Sequence, residues 1–127
     1  IKDLVRKYII KLSTAISLHY KEIIYPHYTD LVIWHRGKYM EAHRDDGHGS
    51  DDEVKKILKP RYVSSLIYLN DDFTGGQTFV GEKKFTPKQG AALIFKSNLL
   101  HGVTQVKEGV RGTVASWFTK DFDSFDI

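Results

Sequence analysis

The chain has 127 residues, 41% of them hydrophobic and 13% aromatic, enough apolar material for one packed domain and too much for a disordered segment. It has no cysteine, which excludes disulfide frameworks, thiolate zinc sites and iron–sulfur clusters, so that any metal must be held by histidine and carboxylate. The net charge is +3, and no run of consecutive lysine or arginine gives it the footprint of a nucleic-acid-binding surface.

Residues 2–24 carry Leu4, Val5, Tyr8, Ile9, Leu12, Ala15, Ile16 and then His19 or Tyr20 at helical spacing, which predicts one amphipathic helix ended by Pro26. Charged residues (Lys2, Asp3, Arg6, Lys7 and Lys11) interrupt its apolar positions. That is not the pattern of a signal peptide, and no apolar run reaches the length of a membrane span. The expectation is a single domain over 1–127, monomeric and cytoplasmic, with no membrane or nucleic-acid partner.

From Tyr28 the pattern turns to short strands. Asp30 to His35 is apolar and β-rich, Arg36-Gly37-Lys38 is a turn, and Tyr39 to His43 is extended. Gly47 to Asp52 is a loop, after which Asp51 or Asp52 caps a short helix to about Leu58, stopped by Pro60. Strands are expected over 62–70, 77–80, 82–85, 91–96, 101–106 and 112–119, with turns at 71–76, 87–90 and Gly109. One helix followed by seven or eight short strands predicts a mainly β fold, a sandwich or barrel with a helical support. A double-stranded β-helix (jelly roll) fits that count.

Three residues stand out chemically. His43-Arg44-Asp45 places an imidazole and a carboxylate two residues apart, on one face of an extended segment. Alone, the tripeptide is as well read as a solvated pair. His101, at the start of a later strand, supplies a second imidazole, and Gly102 after it leaves room for a bound ring. Two imidazoles and one carboxylate with open positions form the facial triad of non-haem Fe(II) sites. His19, His27, His35 and His48 are the competing histidines. His48 reads as solvent-facing or as a neighbour of the triad.

Arg111 follows His101 by ten residues. Alternation places it on one strand face with Thr113, Ala115 and Trp117, where its planar fork could hold a carboxylate. Ser64, Leu66 and Tyr68 likewise share a face. Tyr68 is either a packed core tyrosine or a second donor to the same anion.

Five segments in order carry a family likeness: Gly37 to Asp45, Ser65 to Asn70, Gly75 to Phe79, Gly90 to Phe95, and His101-Gly102-Val103 through Arg111 to Trp117-Phe118. With them the chain resembles the Fe(II)/2-oxoglutarate-dependent dioxygenases, and within these the prolyl 4-hydroxylase-like group. Tyr28 to Val32 and Leu66 to Gly76 also look like the leprecan-type hydroxylases. The resemblance implies a jelly-roll core with iron bound by His43, Asp45 and His101. It implies that Arg111 and Tyr68 anchor the distal carboxylate of 2-oxoglutarate, with Thr78, Thr113 and Trp117 lining its pocket and Trp34, His35 or Tyr39 at the substrate entrance. It also implies O2 as co-substrate, ascorbate as an accessory reductant, succinate and CO2 as co-products, and a proline-containing peptide or protein as substrate. Lysyl or another side chain, or a small molecule, is the alternative target. A non-catalytic jelly-roll binding module is the alternative class. Many prolyl 4-hydroxylases carry lysine where Arg111 stands, and the insert from Asp46 to Pro60, whose position suggests a lid, has no counterpart.

Overall fold

The structure is a computed structural model describing residues 1–127. The chain runs as helix α1 (Lys2–Tyr20), strands β1 (Tyr25–Trp34) and β2 (Met40–His43), helix α2 (Asp52–Leu58), then β3 (Arg61–Tyr68), β4 (Thr74–Gly75), β5 (Thr78–Val80), β6 (Lys83–Phe85), β7 (Ala92–Lys96), β8 (His101–Val103), β9 (Val106–Glu108) and β10 (Arg111–Thr119), with a 3₁₀ turn over Phe122–Ser124. Two four-stranded antiparallel sheets, ordered β1-β10-β3-β7 and β2-β8-β5-β6, form the jelly roll, and β4 and β9 pair separately.

The first sheet is covered on both faces, and alternation divides its residues between them. Val63, Val114 and Phe118 point outward and pack with Ile9 and Ile16 of α1 and Ile24 beyond it. Leu66, Thr113, Ala115 and Trp117 point inward and line a cavity between the sheets. The outer layer holds the helix, and the inner layer builds the site.

α1 is shorter than the spacing suggests, and its buried stripe is narrower. It stops at Tyr20 because Lys21 adopts a left-handed conformation (φ 56°), a common way to end a helix. The turn is then locked by Ser13 and Ser17, whose hydroxyls bond the Ile24 carbonyl at 2.7 and 3.1 Å. Leu4, Tyr8 and Ala15, expected on the buried stripe, are exposed, and Ser13 is buried among the isoleucines instead. Pro26 does not end the helix; it lies inside β1, an edge strand with a register shift between Pro26 and Tyr28, where proline removes no needed ladder bond.

α2 begins as expected, with the Asp51 carboxylate accepting from Val54 N–H at 2.9 Å. The single strand expected over 101–106 is two, β8 in the second sheet and β9 against β4, so Thr74 and Gly75 are paired rather than a free turn. No helix is long and apolar enough to cross a membrane.

Candidate metal and anion site

The cavity between the sheets has a volume of about 130 Å³ and is lined by His43, Asp45 and His101 and by Arg111, Thr78 and Thr113, whereas Tyr68, expected beside Arg111, is buried behind Thr78 and does not line it. At one end, His43 and His101 are cross-strand partners of β2 and β8. Their ring centroids lie 4.4 Å apart. Asp45 sits just beyond β2, so strand alternation does not aim it. Its backbone N–H donates to the Ser97 carbonyl at 2.9 Å, and that bond brings the carboxylate between the two rings. His43 Nε2 is 3.1 Å from Asp45 Oδ1, and His101 Nε2 is 3.1 Å from Asp45 Oδ2. Potential ligand atoms of all three residues lie within 4.8 Å of one another. Arg44 faces away and pairs with Asp46.

The hydrogen bonds assign the tautomers. His43 Nδ1 lies 2.9 Å from the Glu41 carbonyl and His101 Nδ1 2.8 Å from that of Leu99. A carbonyl only accepts, so each Nδ1 carries the proton and each Nε2 presents a lone pair to the carboxylate. Two lone pairs and an anion converging at these distances repel unless a cation lies among them. A proton on His43 partly meets that need: its pKa is raised, chiefly by the bond to Asp45 and against the effect of burial. Burial would raise the Asp45 carboxyl, but the Ser64 hydroxyl and an Nε2 proton, when the His101 or His43 ring carries one, outweigh it and hold Asp45 well below the usual carboxylate range. The donor set is two imidazoles and a carboxylate, with ring orientation already set by backbone acceptors. It fits a divalent iron of the facial-triad kind.

At the other end lies Arg111, 2% exposed. Its Nε donates to the Gly76 carbonyl at 2.9 Å and its Nη2 to Thr78 Oγ1 at 3.1 Å. The Tyr68 hydroxyl also bonds Thr78 Oγ1, at 2.9 Å. The guanidinium lies 5.2 Å from the Trp34 ring centroid and 5.7 Å from that of Tyr68. None of the five ion pairs in the structure includes it. Burial pulls its pKa below the ordinary value, partly offset by Tyr68, yet arginine stays charged in proteins. An enclosed cation without a carboxylate is unfavourable until an anion joins it. The backbone at Gly76 favours glycine. Its φ is +60°, and a Cβ would meet Arg111 Cδ at 3.0 Å.

The remaining candidates divide. Thr78 and Thr113 are buried in the cavity wall, and Trp34 lines it. Trp117 lines it too, but its indole Nε1 donates to Asp45 Oδ2 at 2.9 Å, so its polar atom serves the triad. His35 and Tyr39 are exposed in the β1–β2 connection and do not line the cavity; β1 ends at Trp34, so neither continues its inward face. His48 is exposed, with its backbone N–H on Asp46. Gly102 does not make room for a ring. A Cβ there would meet the Met40 carbonyl and the Phe79 ring at 2.5 Å each, so its use is close strand approach. Sequence reasoning missed Phe95, Met40 and Val103 in the wall, and Ser64, whose hydroxyl donates to Asp45 Oδ2 at 2.6 Å. Alternation back from Tyr68 puts Ser64 on the inner face, the one signal that could have found it.

Comparison with known sequences agrees with this geometry. The sequence model of the 2OG-Fe(II) oxygenase superfamily matches residues 25–119, from the start of β1 to the end of β10. The chain belongs to the 2OG-Fe(II) oxygenase superfamily. Fe(II), 2-oxoglutarate and O2 are the reactants that this family name implies. Among similar oxygenases, human prolyl 3-hydroxylase 2 is 43% identical over 70 residues, covering 48% of this chain and 10% of that protein. A putative prolyl 4-hydroxylase of Acanthamoeba polyphaga mimivirus is 29% identical over 103 residues, covering 69% of this chain and 43% of that one. The chain thus spans about a tenth of the length of the prolyl 3-hydroxylases it matches. The viral collagen prolyl hydroxylase of Paramecium Bursaria Chlorella virus-1 has the same fold, with a TM-score of 0.69 at 21% identity over 94% of this chain and 72% of that one. A 2OG-Fe(II) oxygenase family oxidoreductase from Burkholderia pseudomallei gives 0.65 at 16% identity, covering 77% and 46%.

Proposed function

We propose that this domain hydroxylates prolyl residues of a peptide or protein, using Fe(II), 2-oxoglutarate and O2. The observation that carries the reading is the pairing of a three-ligand face with an unpaired, enclosed guanidinium in one small cavity. His43, Asp45 and His101 would hold the iron, which together with 2-oxoglutarate and O2 supplies hydroxylation of an unactivated C–H bond, with succinate and CO2 as co-products. Arg111 would hold the far carboxylate of 2-oxoglutarate, its guanidinium fixed by Thr78, which is itself bonded to Tyr68. Val32, Leu66, Phe95, Val103 and Ala115 line the same cavity with apolar surface, which excludes water from the reacting centre. No side chain has to act as a general base; the chain's work is binding, orientation and exclusion.

A cavity of about 130 Å³ is well below the size that encloses a drug-sized ligand, which suits a substrate that presents one residue from outside. The prolyl hydroxylase names among both sequence relatives and structural neighbours favour proline as that residue. The test is mass spectrometry of proline-containing peptide libraries incubated with Fe(II), 2-oxoglutarate and ascorbate. The expected product gains one oxygen atom on proline and forms only with both Fe(II) and 2-oxoglutarate. Oxygen gained on lysine instead would retain the chemistry and replace the substrate. No succinate with any peptide would return the domain to a binding module.

A further inference from the structure

Ser64 lines the cavity and is 2% exposed, and Ser97, outside the lining, is 0% exposed. Their hydroxyls lie 2.9 Å apart, and Ser64 Oγ lies 2.6 Å from Asp45 Oδ2. Proton counting fixes the direction. The ionised Asp45 carboxylate can only accept, so the one Ser64 proton goes to it, and Ser97 must then donate to Ser64. The result is a one-way chain, Ser97 Oγ–H to Ser64 Oγ–H to Asp45 Oδ2. Its last link is short and charge-assisted.

The strand register directs a second donor to the same atom. Ser64 on β3 is the cross-strand partner of Trp117 on β10, and Trp117 Nε1 reaches Oδ2 at 2.9 Å. Oδ2 therefore takes Ser64, Trp117 and the approach of His101, whereas Oδ1 faces only His43. Ser97 also accepts the Asp45 backbone N–H through its carbonyl, and it begins the turn that leads to His101. One residue thus touches the backbone of one ligand, the side chain of that ligand through Ser64, and the segment carrying another.

We propose that Ser64 and Ser97 are positioning residues that fix the rotation of the Asp45 carboxylate, committing Oδ2 to the protein and leaving Oδ1 for the metal, with Ser97 acting through Ser64. This rests on the reading of the triad as a metal site. Loss of such an outer partner lowers metal affinity by about 10- to 100-fold.

The test measures Co(II) binding by calorimetry, with the cobalt visible absorption spectrum as a second readout, for wild type, Ser64→Ala, Ser97→Ala, the double variant and Ser64→Thr. The thermal midpoint of each metal-free variant controls for folding. Ser64→Ala is expected to lose about 10- to 100-fold in affinity and to change the cobalt spectrum. Ser97→Ala loses less, the double variant matches Ser64→Ala, and Ser64→Thr, which keeps the hydroxyl, restores affinity. Wild-type affinity in Ser64→Ala overturns the proposal. A further loss on adding Ser97→Ala overturns the relay between the serines. Crystal structures of metal-free wild type and Ser64→Ala separate this failure from failure of the metal reading. If wild type binds no Co(II), the metal site falls, while a rotated carboxylate in Ser64→Ala still supports the positioning role and an unchanged one rejects it.

Discussion

The two ends of the cavity are built in opposite ways. At the triad end, two imidazole lone pairs and a carboxylate converge, and the field there calls for a cation. At the arginine end, an enclosed guanidinium touches only neutral oxygens and aromatic faces, and the field calls for an anion. Each end is incomplete by itself. A metal ion carrying an anionic chelate completes both at once, which is why the pair of ends says more than either does. The triad end is supported by backbone carbonyls from the β2 and β8 segments and by donors from β3 and β10. The arginine end is held by the Gly76 carbonyl and the Thr78 hydroxyl, both reached from β10.

Removing a ligand breaks the first end. Asp45→Ala is expected to lower Co(II) or Fe(II) affinity by more than the ~100-fold that an outer partner is worth, measured by calorimetry under anaerobic conditions. Removing the cation breaks the second end and should leave the first intact. Arg111→Ala should raise the 2-oxoglutarate concentration needed for half-maximal succinate formation by about 30-fold or more, as expected for truncating one partner of a buried charge pair. Metal affinity should stay within about threefold if the ends are independent. Release of the metal by this variant would show that they are one unit. Arg111→Lys should recover only part, because a single ammonium cannot reproduce the planar fork.

A proton distinguishes the ends more finely. The pKa of His43 is raised in the metal-free site by its bond to Asp45, so a proton competes with the metal there up to a higher pH than at a free histidine. Metal affinity should therefore climb with pH through and somewhat above about 6.5, at close to tenfold per unit below the His43 pKa. 2-Oxoglutarate binding to the metal-saturated protein should show no such slope. The smallest effect expected is that of Thr78→Val. It removes the hydroxyl shared by Arg111 and Tyr68 and should raise the 2-oxoglutarate requirement about 3- to 10-fold, the scale of one net hydrogen bond, with metal affinity unchanged.

Much of this arrangement was readable along the chain because it depends on period two. Alternation in β10 and β3 correctly groups Arg111, Thr113, Ala115 and Trp117 on the inner face, and Val63, Val114 and Phe118 on the outer. Elsewhere the governing contacts are between segments distant in sequence. Asp45 is aimed by a backbone bond to Ser97 and not by strand pleat. β8 and β9 read as one strand, yet they separate because each pairs with a different partner. α1 ends where Lys21 turns left-handed, five residues before the proline that its sequence offers as the stop. The donors to Asp45 come from β3 and β10, and no local pattern reports that Ser64 and Trp117 stand side by side.

The most direct measurement is an anaerobic titration of 2-oxoglutarate into the Fe(II)-loaded protein, following the weak visible metal-to-ligand charge-transfer band, for wild type and Arg111→Ala side by side. The two-ended site predicts a saturable band in both, reached in the variant only at about 30-fold or more higher 2-oxoglutarate. No band in wild type, or the same half-saturation in both proteins, would contradict it.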